Sequence, residues 1–152
     1  MEFTPAQQLE KMRKYCAYQE RSHQQVRDKL YDAGLHGEHV EEIITALILE
    51  NFLNEERFAR CYARGKFRMN GWGRVKIVHG LKQHRVHPNG IRAAMTEIGE
   101  DEYRDALHTI LQQKQRILKE KHPLRRKAAL MRFAAQRGFE GDLVRELLEA
   151  KE

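Results

Sequence analysis

Between Asn51 and Val86 the chain reads NFLNEERFARCYARGKFRMNGWGRVKIVHGLKQHRV, and the side chains able to do chemistry there are cationic and aromatic. Arg64, Lys66, Arg68, Arg74, Lys76, Lys82 and Arg85 alternate with Phe67, Trp72 and Val75, and no acid occurs between Arg60 and Glu97. Cations interleaved with rings hold phosphates or carboxylates and stack on flat partners, which is binding chemistry rather than bond-breaking chemistry. A second cationic run comprises Lys119, Lys121, Arg125, Arg126 and Lys127. The plain alternative for both runs is a solvated helix face. If they bind, each phosphate contact steepens the salt dependence by roughly one unit of log–log slope. Arg64, Arg68, Arg74, Arg125 and Arg126 rank first, because a guanidinium fork engages two oxygens at once. Trp72, in a turn between glycines, either stacks on a partner or plugs the gap between two helices. Phe58, Tyr62 and Phe67 fall at helical spacing and are read as core.

Other chemistries find little support. His36 and His39, and His84 and His87, are three apart, yet each pair spans a turn with no cysteine or carboxylate set nearby, so no metal site is expected. There is no glycine-rich phosphate loop or nucleophile elbow. Cys61 has no histidine close in sequence, and Ser22 is better explained as a helix cap. Neither enzyme activity nor a cofactor is expected. The cysteines Cys16 and Cys61 read as small packing residues in a reducing compartment. With no apolar run of membrane length and no secretory leader in MEFTPAQQLEKMRK, the expectation is a cytoplasmic protein without a membrane partner.

The elements that must position these residues are helices. At 152 residues, with 41% hydrophobic and 33% charged residues, the chain carries much surface for its volume. A net charge of +6 and a pI near 9.4 point toward a polyanion or an acidic protein. Thr4-Pro5 starts a first helix that buries Leu9, Met12, Cys16 and Tyr15 and runs to about Glu20. Ser22 and Gln25 form a capping box for a second helix with Val26 and Leu30 inward, ended by Gly34. A third helix presents Val40, Ile43, Ile44, Leu47 and Ile48. Asn54 then caps a fourth, and Gly71-Trp72-Gly73 separates it from a fifth lined by Val75, Ile77, Val78 and Leu81. Pro88 opens a sixth. Asp101 caps a seventh containing Tyr103, Leu107, Leu111, Ile117 and Leu118; Leu124, Leu130, Met131 and Phe133 line an eighth, and Leu143, Val144, Leu147 and Leu148 a ninth. No run reads as a strand.

These helices repeat in threes. The turn residues Leu35, Val86 and Phe139 recur about fifty residues apart, as a repeat array requires. Nine residues before them stand Val26, Ile77 and Leu130, and five after them Val40, Ile91 and Val144. The fold class expected is all-α: three tandem three-helix repeats, residues 1–52, 53–99 and 100–152, in an elongated, curved, right-handed or solenoid-like array.

With those repeats, Ser22, Lys29-Leu30 with Gly34, Asn51-Phe52-Leu53-Asn54-Glu55, Phe58-Ala59, Tyr62 and Gly71 to Gly73, the sequence resembles the RecX family of bacterial regulators of the RecA recombinase. The likeness extends over nearly the whole chain and is strongest from Arg21 to Val86. Asn51 stands where the family has Gly, and Glu55 where it has Asp; Asn tolerates the left-handed backbone of a helix end, and Glu keeps the charge. The resemblance implies a non-enzymatic, monomeric protein of DNA repair and recombination that lies along the groove of the RecA–single-stranded DNA filament and restrains strand exchange and ATP hydrolysis. Its partners would be RecA, the single strand within the filament, and free DNA. The rival reading, from the acid-free window alone, is a stand-alone basic helical-repeat protein that binds nucleic acid.

Overall fold

The computed structural model describes residues 4–150, and these form nine α-helices and no strand. They are α1 (Pro5–Tyr18), α2 (His23–Asp32), α3 (Glu38–Leu49), α4 (Glu55–Arg68), α5 (Arg74–Gln83), α6 (Pro88–Met95), α7 (Glu100–Ile117), α8 (Pro123–Gln136) and α9 (Gly141–Glu149). The all-α arrangement in groups of three is the one expected.

Local chemistry accounts for most of the ends. Thr4 and Ser22 each form a full capping box, with Gln7 and Gln25 reaching back to the cap backbone. The Asn54 side chain accepts the Arg57 N–H at 2.9 Å, which starts α4. The seventh helix begins one step earlier than Asp101 suggested: Gly99 occupies the cap position, and Glu100, Asp101 and Glu102 form the first turn. Three carboxylates there favour the positive end of the helix dipole, so a side-chain cap is not needed. α1 stops at Tyr18, short of Glu20.

The turns after the middle helices are built alike. Leu35 N–H donates to Leu30 O, Val86 N–H to Leu81 O and Phe139 N–H to Ala134 O, each at 3.1 Å. This is the six-to-one bond of a helix ending in a left-handed residue. That residue is Gly34 (φ 94°), Arg85 (φ 58°) and Gly138 (φ 94°) in turn. The apolar frame is buried in all three copies: Val26, Leu35 and Val40; Ile77, Val86 and Ile91; Leu130, Phe139 and Val144. Asn51 (φ 64°) ends α3 in the left-handed conformation expected of it.

Two compact units are present, and neither follows the groups of three. One holds the chain through Tyr62 together with Leu81–Ala94, and the other Ala63–Gly80 together with the chain from Met95 onward. In the first, α3 packs on α1 and α2 around Met12, Cys16, Val26, Leu30, Leu35, Val40, Ile43, Ile44, Leu47 and Leu53. Leu30 and Leu47 have no exposed surface, and each such side chain contributes about 1.5–3 kcal/mol. The second unit is centred on Tyr103, Leu107 and Leu111 of α7, with Leu130 and Ala134 of α8 also buried.

Some expected core residues are on the surface. Val75 is 56% exposed because it lies two residues, or about 200° of helix, from the buried Ile77. Ile117 (71%) and Leu124 (73%) flank the exposed connection between α7 and α8, and Ile48 (43%) faces away from α1 and α2.

Two consequences can be measured. Arg85 occupies a position that is glycine in the other two copies, and a left-handed L-residue costs about 1–2 kcal/mol. Part of that gain is lost to the greater unfolded-state freedom of glycine, so Arg85→Gly should stabilise by about 0.5–1 kcal/mol and raise the thermal midpoint by ~2 °C; a lower midpoint would contradict the strain. Burial pushes the Cys16 thiol up to about 11, whereas Cys61 is exposed. A water-soluble disulfide reagent at mildly alkaline pH should therefore titrate one thiol in the native protein and both in denaturant.

Candidate nucleic-acid and protein interface

The cations of the acid-free window are placed by α4, the Gly71–Gly73 turn and α5. In the second unit the first turn of α5 abuts the end of α8. Gly73 N–H donates to Arg137 O at 2.7 Å and Val75 N–H to Gly138 O at 2.9 Å. Between them Arg74 N–H donates to the Tyr103 hydroxyl at 2.9 Å. The amides that a helix start leaves unpaired are thus paired with carbonyls that a helix end leaves unpaired. Only glycines permit the approach. A Cβ on Gly73 would stand 2.5 Å from Phe139 N, and one on Gly138 would stand 2.7 Å from Lys76 N.

Tyr103 is fully buried beneath this junction, its ring centre 5.8 Å from that of Phe67 and 5.1 Å from that of Phe139. Its hydroxyl donates to Glu140. Burial first, and then the Glu140 carboxylate, hold the phenol far above its ordinary range, so it remains a donor. Arg74 covers the ring with its guanidinium carbon 3.8 Å from the centroid, and pairs with Glu100 at 2.5 Å and Glu140 at 3.0 Å. Burial opposes its charge, but the two carboxylates outweigh that and raise its pKa.

The window without acids in sequence therefore has acids in space. Arg64 pairs with Glu97 at 2.8 Å and Arg68 with Glu102 at 3.2 Å. Arg74 is held from three sides, while Arg68 and Glu102 are about half exposed; pairs of that kind contribute ~0–1 kcal/mol and exchange readily with another anion. In the second run Arg126 donates to the carbonyls of Gln115 (2.5 Å), Leu118 (3.1 Å) and Glu120 (3.1 Å), closing the end of α7. Lys127 pairs with Glu149 at 3.3 Å. Lys119, Lys121 and Arg125 are exposed, as are Lys82 and Arg85 in the first unit.

Lys66 and Lys76 behave differently. Their ammonium groups lie 4.7 and 4.5 Å from the centre of the half-buried Trp72 ring. Close by, Phe133 carries Lys114 at 5.1 Å and Arg137 at 4.9 Å. Sequence reasoning missed Lys114, Phe133 and Arg137. The signal available was the four-residue spacing of Phe133 and Arg137, followed at once by the glycine that meets α5.

His84 and His87 have structural partners. His84 Nδ1 is 3.0 Å from Ser22 Oγ, and its ring meets Phe58 and Tyr62 edge-on at 5.1 and 5.4 Å. His87 Nδ1 accepts the Asn89 N–H at 3.0 Å at the start of α6. Among the described residues no group of three or more His, Cys, Asp or Glu is placed to hold a metal ion, and no helix is long and apolar enough to cross a membrane.

The fold defines a class of protein: tandem three-helix repeats, here with a charged and aromatic surface. The chain belongs to the RecX family. Family models for the first, second and third three-helix domains of RecX match residues 9–47, 54–95 and 100–148 in that order. A regulatory protein RecX of Prosthecochloris aestuarii is 30% identical over 135 residues, covering 89% of this chain and 87% of the relative. That of Herminiimonas arsenicoxydans is 27% identical over 139 residues, covering 91% and 89%. The Clostridium perfringens protein is 27% identical over 124 residues, and there the match spans 58% of the relative's length. Two crystal structures share the fold at 19% identity. One, of regulatory protein RecX, has a TM-score of 0.86 over 95% of this chain and 73% of that one; the other, of RecX from Lactobacillus salivarius, has 0.84 over 96% and 95%.

The glycine junction is open to test. Gly73→Ala or Gly138→Ala forces backbone apart and should cost ~3 kcal/mol by thermal or urea unfolding. Gly65→Ala, with nothing near its added carbon, is the control and should be neutral or stabilising.

Proposed function

We propose that this regulatory protein is a non-enzymatic inhibitor of the RecA recombinase in DNA repair and recombination. It lies along the groove of the RecA–single-stranded DNA filament as a cytoplasmic monomer and restrains strand exchange and ATP hydrolysis. The observation that carries this reading is the ordered match of all three RecX domains along one chain.

The chemistry of the surface supports it. The grooves are shallow and lined by ion pairs, as around Arg74, Glu100, Arg104 and Glu146, or by Leu124, Leu130 and Leu148 beside Arg126 and Lys127. Neither arrangement offers a nucleophile with a base. Exposed pairs such as Arg68 with Glu102 suit a polyanionic filament, because an incoming phosphate or carboxylate can replace the glutamate at little cost.

RecA ATPase on single-stranded DNA should fall severalfold when the protein is added in substoichiometric amount. Undiminished turnover at ratios up to equimolar would rule this function out.

A further inference from the structure

The Trp72 and Phe133 clusters form one surface. The Arg137 guanidinium lies 3.7 Å from where a Cβ on Gly71 would stand, and the Lys76 stem lies against Gly138. Four cations, Lys66, Lys76, Arg137 and Lys114, are thereby gathered around two rings, from three helices and a turn within the second unit. Among the described residues Lys76, Arg137 and Lys114 have no carboxylate within ion-pair distance. In this they differ from Arg64, Arg68 and Arg74, each tied to at least one glutamate.

We propose that Lys66, Trp72, Lys76, Arg137, Phe133 and Lys114 form a binding surface for single-stranded nucleic acid, with the cations on phosphates and the rings holding those cations in place. Each cation resting on a ring is attracted to its face and loses freedom before any ligand arrives. At Lys76, Arg137 and Lys114 a phosphate then meets a positioned charge that no carboxylate in ion-pair distance competes for. Cations and rings combined on one surface are the composition of single-strand sites, the cations tracking the phosphate backbone. Lysine heads act as point charges and read no base edge, so recognition is independent of sequence. The proposal deepens the filament reading by assigning the strand-contacting residues; it takes from that reading only that a single strand is available as ligand.

Trp72 is the sole tryptophan of the chain, so its emission reports this surface alone. The test titrates the whole protein with labelled oligothymidylate, following anisotropy and Trp72 emission together over a range of salt. The expected result is an emission change that tracks binding. Lys76→Gln, Arg137→Gln and Lys114→Gln should bind more weakly, each making the log–log salt slope shallower by ~0.7. Thermal midpoints check that the variants are folded, and Lys114→Gln, remote from the glycine junction, serves if Lys76→Gln is not. Binding with Trp72 emission unchanged, or variants that bind like the parent, would overturn the assignment. So would an absence of oligonucleotide binding, or an emission change produced only by polyglutamate, which would give the surface to an acidic protein. RecA ATPase measured in parallel separates the two readings: undiminished turnover with intact oligonucleotide binding removes the filament function and leaves this surface standing.

Discussion

The second unit depends on one helix start meeting one helix end. The amides of Gly73 and Val75 need acceptors, the carbonyls of Arg137 and Gly138 need donors, and each pair satisfies the other at ordinary hydrogen-bond length. The opposed dipole ends of α5 and α8 add a favourable electrostatic contribution. Gly73 is required by space, and Gly138 both by space and by its left-handed backbone. In the first unit the equivalent place is filled by side chains: Ser22, at the start of α2, meets His84, just past the end of α5, among Phe58 and Tyr62. The same contact is made once with backbone and once with a serine and a histidine.

Much of the charge pattern follows from that junction. It brings Glu140, next to Phe139, over Arg74 and Tyr103, while Glu97, Glu100 and Glu102, at the start of α7, reach Arg64, Arg74 and Arg68. Of the arginines favoured for their forked geometry, Arg64, Arg68, Arg74 and Arg126 are occupied by the fold, because a guanidinium offers several donors to carboxylates and carbonyls alike, and Arg125 is left exposed. Lysines lack that fork, and Lys66, Lys76 and Lys114 rest on the Trp72 and Phe133 rings. Among the described residues Lys76 and Lys114 have no carboxylate in ion-pair distance, whereas Arg64, Arg68 and Arg74 are partly neutralised by glutamates.

Three polar side chains drawn into the packing have roles in the fold itself. Tyr103 donates to Glu140, Ser22 caps α2, and Arg126 closes α7. The fold is shared with two crystal structures at 19% identity, and within this chain three different sequences build the same helix-ending turn with a buried apolar residue after it.

The sequence alone determined the nine helices of the described residues, their grouping in threes and most of their ends, because caps, left-handed turn residues and apolar spacing act within a few residues of chain. Val26, Ile77 and Leu130, or Leu35, Val86 and Phe139, could be placed inward from their spacing for that reason. Val75, Leu124 and Ile117 could not, since a side chain at the rim of an apolar stripe is buried only if another helix covers it. The partners of the cations were illegible too. Arg74 and Glu140 lie on different helices far apart in the chain, and Trp72 and Phe133 are brought near each other by two glycines whose closeness no local pattern encodes. Tertiary packing alone decided which charges were neutralised and which were left facing outward.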